Sequence, residues 1–193
     1  MLKKILLVLL GLVVAFCIFV AMRPNEVAIT RTVTVPAPPN IPFGLVNNLR
    51  DWQKWAAWEQ LDPDMTRQYS GPESGAGATY FWKGDAEVGS GRMTVEQSHP
   101  HEHIEMKVEF IEPFEGGSMS DFRFAPAGTD STEVTWTMRV QMNFLMKAMC
   151  LFLDMPGEVG KDMDKGLSQL AVAAKEVSAA QPPPVEEPVP ATN

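Results

Sequence analysis

Between Met163 and Val177 the apolar residues recur at intervals of four, three, four and three: Met163, Leu167, Leu170, Ala174 and Val177. That spacing places all five on one face of a helix. Lys161, Asp162, Lys165, Gln169 and Lys175 fall largely on the other faces. A long amphipathic helix must bury its stripe against a broad apolar partner. The one candidate partner is the series of alternating segments that precedes it. The expected fold class is therefore α+β: a curved antiparallel sheet closed around a long C-terminal helix, with room for a cavity between them.

The alternation is repeated along the chain. From Asn25 to Val35 the residues Val27, Ile29, Val33 and Val35 share one side, with Ala28, Thr30, Thr32 and Thr34 opposite. This predicts a half-buried strand. Arg31 falls in its apolar phase, which suggests snorkelling at a sheet edge or, as the sharper alternative, a cation facing a ligand. Later strands are expected from Met65 to Ser70 and where Ala78, Tyr80 and Trp82, then Gly91, Met93 and Val95, alternate with more polar neighbours. Ile104, Met106, Val108 and Phe110 continue the pattern, as do Ser118, Ser120, Phe122 and Phe124, and then Val134, Trp136, Met138, Val140 and Met142. Turn residues at Gly71-Pro72, Gly75-Ala76-Gly77 and Lys83-Gly84-Asp85 separate them, and such short connections imply antiparallel hairpins.

Between the first and second strands the chain reads as short helices. Pro36 to Pro39 stops the strand, Asn40 is the expected N-cap, and Ile41, Phe43, Leu45, Val46 and Leu49 form an apolar side. Trp52, Trp55 and Trp58 follow at intervals of three, as on one helix face. Near the C-terminus Pro156 predicts a break at Asp154 to Gly157, with the main helix running from about Gly157 to Val177. From Gln181 onward there are five prolines in 13 residues, which predicts an extended tail without a core.

Ile5 to Met22 is an unbroken apolar run of 18 residues, flanked by Lys3 and Lys4 on one side and Arg23-Pro24 on the other. At about 1.5 Å per residue it spans roughly 27 Å, close to the ~30 Å hydrocarbon core of a bilayer. No good small-x-small cleavage site follows it, so a retained single span is favoured over a cleaved signal peptide. The basic flank would keep the N-terminus in the cytoplasm and put the domain on the periplasmic side of the inner (cytoplasmic) membrane. The expected organisation is an anchor or uncleaved signal over 1–24, a folded domain over 25–178 and a proline-rich tail over 179–193. Beyond Arg23 the chain holds 13 basic against 24 acidic groups. Such a domain is repelled by nucleic acid and by anionic lipid. Cys17 and Cys150 lie on the two sides of the predicted membrane boundary, which argues against a bond between them.

The stretches ITRTVTVPAPP, FGLVNNLRDWQKWAAWEQLDPDM, YSGPESGAGATYFWKG, GSGRMTVEQSHP, FIEPFEG, VTWTM and GKDMDKGLSQL resemble the bacterial SRPBCC proteins of the START-like, or helix-grip, superfamily that are described as polyketide cyclase/dehydrase and lipid transport proteins. The resemblance covers about Val27 to Val177 and includes the habit of an N-terminal membrane span. It implies a helix-grip fold with a cavity between sheet and last helix, and it carries no transferable catalytic set. Pro156 departs from it, since relatives keep a helix-compatible residue there.

Pockets for small apolar ligands are lined by aromatic and methionine side chains. The expected ligand-contacting residues are Trp55, Trp58, Tyr80 and Trp82 on the first half of the domain, Met93, Met106 and Phe110 on the middle strands, and Phe122, Trp136 and Met138 on the last two. His99, His101 and His103 could share a strand face and bind a metal, but Pro100 interrupts the strand and a hairpin tip is the better reading. Glu59, Asp62 and Asp64 could pair as carboxylates, though loop acids in an acidic protein ordinarily face water. There is no phosphate loop, no Gly-x-Ser-x-Gly elbow and no Cys-His pair. No catalytic residue, cofactor or metal is therefore expected.

Three functions compete. The first is a membrane-tethered module, monomeric and without affinity for nucleic acid, that binds a hydrophobic or amphipathic small molecule or lipid. The second is a polyketide cyclase-like enzyme acting on an aromatic substrate, which would need an acid or base inside the cavity. The third is an envelope protein-interaction module using its outer face or its proline tail.

Overall fold

The computed structural model describes residues 1–113 and 115–180. Helix α1 (Leu2–Ala21) leads into strand β1 (Glu26–Val35) and helix α2 (Asn40–Asn47). Two 3₁₀ turns (Leu49–Lys54 and Ala57–Gln60) come before strands β2 (Thr66–Ser70), β3 (Thr79–Lys83), β4 (Ser90–His99), β5 (His103–Glu112), β6 (Gly116–Pro126) and β7 (Thr132–Gln141). Helices α3 (Phe144–Met149) and α4 (Met155–Ala180) follow. The seven strands form one antiparallel sheet in the order β1-β7-β6-β5-β4-β3-β2. This is the helix-grip architecture, α+β with α4 held against the sheet. The proline tail from Gln181 lies outside the described residues, and Ala179 and Ala180 are still helical.

The sheet has two ends that matter for the site. Glu26 pairs with Gln141, Phe110 with Gly116 and Ser90 with Glu112 at the end next to α1. Val35 with Thr132, Pro126 with Thr132 and His99 with His103 mark the far end. On the outer face, hydroxyl pairs Thr30–Thr137 (3.0 Å) and Thr32–Thr135 (3.1 Å) run across β1 and β7. The opposite phase of the strands supplies the core, as strand alternation requires.

Helix α4 buries Met163, Leu167, Leu170 and Ala174, four of the five residues of the stripe; Val177 is half-buried. The break before it falls where Pro156 predicts, yet α4 runs unbroken for 26 residues. Pro156 lies in the first turn, where its missing N–H has no helical partner to lose. The Asp154 side chain accepts a hydrogen bond from the Gly157 N–H (3.1 Å) in that same turn. At Gly160 a Cβ would lie 2.1 Å from the Arg31 guanidinium, which crosses the helix there to reach Asp164 (3.0 Å). Arg31 thus ties edge strand β1 to α4, and its charge is used in that pair. Asn40 is not a cap: Pro39 precedes the first turn of α2 with no side-chain bond. Asn48 and Asn143 do cap the first 3₁₀ turn and α3, accepting from Arg50 N and Met146 N.

The tryptophan triplet does not lie on one α-helix. Trp52 is in the first 3₁₀ turn, Trp55 ends it, and Trp58 is in the second. The indoles still converge, because the three-residue period of a 3₁₀ turn stacks positions i and i+3. Trp52 lies 4.5 Å from Trp55 and 5.5 Å from Trp58, centroid to centroid. Trp136 from β7 and Phe122 from β6 stack beside them at 4.9 Å. The buried indole N–H groups are partnered: Trp52 donates to the Val46 carbonyl (2.9 Å) and Trp55 to the Leu45 carbonyl (3.1 Å).

One loop acid does not face water. Glu59 is 5 % exposed. It accepts a hydrogen bond from the Tyr80 hydroxyl (2.5 Å) and one from Arg67 Nε (2.9 Å). The rest of the Arg67 guanidinium donates to the carbonyls of Pro63 and Met65. Tyr69 stacks on Tyr80 at 4.9 Å, and Arg50 lies over the Tyr69 ring at 4.4 Å. Burial pushes the Tyr80 phenol far above its usual range, and its bond to Glu59 pushes the same way. Burial also raises Tyr69, against the opposing bond from Gln53.

Two outcomes follow from this network. Glu59→Ala strands a half-buried guanidinium and a buried phenol, and is expected to cost about 3 kcal/mol of stability, a drop of roughly 10 °C in melting temperature; thermal unfolding monitored by circular dichroism measures it. The second concerns alkaline pH. Tyr69 and Tyr80 are the chain's two tyrosines, and both are held neutral above the ~10 of a free phenol. A raised folded-state pKa gives stability that is complete below the unfolded value and is lost as pH rises beyond it. Absorbance at 295 nm should therefore show less tyrosinate in the native protein at pH 10 than in the unfolded chain at the same pH.

Candidate ligand cavity

A cavity of about 190 Å³ lies between the sheet and the first half of α4. Its depth comes from Trp52, Trp136, Ser120, Met93 and Met163, all buried. Trp82, Val108 and Met138 form the walls with Trp58. Val88, Phe110, Val159 and Asp162 stand at its more exposed side. The space exists because the sheet curves away from α4 while the indole cluster holds the two apart. Gly91 sharpens the shape: a Cβ there would lie 2.4 Å from the Trp82 ring, so only glycine lets that indole lie flat along β4.

The polar content is small and well placed. Ser120 Oγ accepts from Trp136 Nε1 at 3.4 Å, which leaves its own hydroxyl proton free to donate. Ser118, two residues earlier on the same face and paired with the lining residue Val108, has a buried hydroxyl without a partner among the described residues. Among the described residues Asp162 is the one ionisable group in the lining, and it is exposed. The Glu59–Arg67–Tyr80 network sits beside the cavity and contributes no lining residue.

Six of the ten residues that the sequence suggests for ligand contact line this space: Trp58, Trp82, Met93, Phe110, Trp136 and Met138. Trp55, Tyr80, Met106 and Phe122 do not; each is fully buried in the surrounding core. Sequence reasoning did not single out Trp52, Val88, Val108, Ser120, Val159, Asp162 or Met163 as lining. The phase of β6 carries the signal for Ser120, a polar residue in an apolar series. Nothing in the spacing of α4 separates Val159 and Met163 from the rest of the stripe, because where the sheet curves away decides it.

The histidines lie at the far end of the sheet. His99 and His103 pair across β4 and β5 with their rings stacked at 5.9 Å, and His101 occupies the turn with φ +64°. His103 Nε2 and Asp121 Oδ2 are hydrogen-bonded (2.5 Å), and Arg123 holds the other Asp121 oxygen. Among the described residues no group of three or more His, Cys, Asp or Glu is placed to hold a metal. Asp62 accepts from the N–H groups of Asp64 and Asp85 and so fixes two turns.

Solved structures with the same fold have little sequence in common with this chain. Protein MLL2253 from Mesorhizobium loti is 12 % identical, with a TM-score of 0.57 over 78 % of this chain and 98 % of that one. Protein CV1439 from Chromobacterium violaceum is 14 % identical, with a TM-score of 0.53 over 79 % and 99 %. DynU16, from the dynemicin biosynthetic locus, is 14 % identical, with a TM-score of 0.55 over 81 % of this chain and 49 % of that one. No curated protein sequence matches this chain. Residues 26–175, nearly the whole folded domain, match one family, and on that match the protein belongs to the polyketide cyclase / dehydrase and lipid transport family.

Proposed function

We propose that this protein is a membrane-tethered binding module that holds a hydrophobic or amphipathic small molecule between the sheet and α4. The observation that carries the reading is the lining. A space walled by indoles, methionines, valines and one phenylalanine favours apolar matter over water. Volume narrows the ligand. Apolar cavities of about 150 Å³ take up benzene, and typical small-molecule sites are roughly 300–1,000 Å³. At about 190 Å³ the space suits one or two fused rings or a short acyl segment. A larger molecule would leave its remainder at the side of Phe110 and Asp162. The hydroxyl of Ser120 offers a donor to a carbonyl or ether oxygen on the buried part.

In this reading α1 is a retained single span of the inner membrane and the domain stands on the periplasmic side. Support comes from α1 itself, which is long and apolar enough to cross a membrane, and from its basic flank. The cyclase-like alternative rests on the family description and needs an acid or base that meets substrate in the cavity. Asp162 is the residue in position for that role, and it stands at the exposed side of the cavity, away from its depth.

Native mass spectrometry of the full-length protein released from lipid nanodiscs is expected to show a non-covalent adduct. Val108→Trp fills the cavity from the β5 wall and should abolish the adduct while the melting temperature changes little. A wild-type protein that carries no adduct after purification without added ligand, and takes up none from a lipid extract, would overturn the reading.

A further inference from the structure

The ten residues from Phe144 to Leu153 are unlike the rest of this acidic surface. They contain no acid, and their single charge, Lys147, is buried and bonded to the Asn25 side chain. Four large apolar residues in the same stretch face outward: Phe144 is 50 % exposed, Leu145 54 %, Phe152 78 % and Leu153 53 %. Beyond α1 and its Met22 flank, few other large apolar side chains among the described residues are exposed, and two of those, Phe110 and Ile111, lie at the same end of the sheet. Exposed clusters of this kind mark interaction surfaces.

Covalent geometry says what covers this one. Only Met22 to Asn25 separate the end of α1 from β1, and four residues reach at most about 14 Å. The linker is also pinned to the connection between β7 and α3, with Met142 N donating to the Asn25 carbonyl at 2.8 Å. The last turn of α1 comes up against α3, and Val20 is completely buried there. A residue within the apolar span thus has α3 as its neighbour.

Resting on the reading of α1 as a retained span, we infer that α3 and the connection to α4 form a wedge that lies in the interfacial layer of that same bilayer, inserted through Phe144, Leu145, Phe152 and Leu153. The occupant is a zwitterionic lipid leaflet. Aromatic and aliphatic side chains gain by entering the headgroup–acyl boundary, and an acidic domain with no basic patch gains nothing from anionic lipid. Val159 joins the wedge to the cavity: it lines the cavity and also an apolar groove shared with Met146, Cys150 and Pro156. A hydrophobic molecule leaving the leaflet would then reach the cavity along apolar side chains without crossing water.

The test uses the full-length protein in phosphatidylcholine vesicles, with Cys17→Ser and Cys150→Ser as background. An environment-sensitive fluorophore is attached at Phe152→Cys, at Leu145→Cys and, as the far-end control, at Asp130→Cys in the β6–β7 turn. Labels at positions 152 and 145 should emit at shorter wavelength and be quenched by lipids spin-labelled near the headgroup; the label at 130 should show neither effect. Agreement between 152 and 145 guards against a local disturbance by either substitution. Labels at 152 and 145 that match 130 overturn the wedge. A shift in emission without lipid quenching also overturns it, since protein and not lipid would then cover the surface. Flotation of the same samples separates the underlying reading: protein that does not float with the vesicles overturns the span and the wedge together, whereas floating protein with water-exposed labels overturns the wedge alone.

Discussion

Contact between α4 and the indole cluster organises the domain. Trp52 and Trp55 are fixed by N–H bonds to carbonyls of α2, Trp136 by its stack on Phe122. Gly166 brings the helix axis close to Trp136 and Trp55, where a Cβ would already be in van der Waals contact at 3.7–3.8 Å. Helix, 3₁₀ turns and sheet therefore meet at one set of aromatic rings. Large aromatics supply much buried area with few internal rotations to freeze. They also do not collapse into neighbouring space, because a planar ring held at two edges cannot fold over as a methionine can. The cavity persists beside them for that reason.

How much of this could be read from the chain depended on whether a residue's partner is set by periodicity. Strands and α4 could be, because alternation by two and recurrence by three and four name the buried face without reference to anything distant. Trp58, Trp82 and Met93 came to the cavity by that route. Glu59 did not. It sits among Asp62 and Asp64 in a polar loop, and what buries it is Arg67 eight residues on and Tyr80 on the next strand. Arg31 was visible as an anomaly in β1, but its partner Asp164 lies 133 residues away. Trp55 and Met106 share the phase of the lining residues and still end in solid core; phase says which way a side chain points and is silent on whether the facing layer is near enough to touch it.

The interior divides into two regions of opposite chemistry. Around Glu59, charged and polar groups are densely paired, which makes that corner rigid and intolerant of change. Around Met93 and Met138 there is space, and methionine side chains can adapt to what enters it. Ser120 lies on the soft side, its oxygen bonded to Trp136 and its hydroxyl proton uncommitted.

The open sheet leaves β2 as a free edge. β1 at the opposite edge lies under α4 and is latched by Arg31, but β2 has β3 on one side and, among the described residues, no strand on the other. Its sequence is only Thr66-Arg67-Gln68-Tyr69-Ser70, with Arg67 and Tyr69 turned inward to the Glu59 network and Thr66, Gln68 and Ser70 outward. A strand this short and polar is a poor template for another chain. Copies of the protein crowded side by side on one surface would have few backbone groups through which to join sheets.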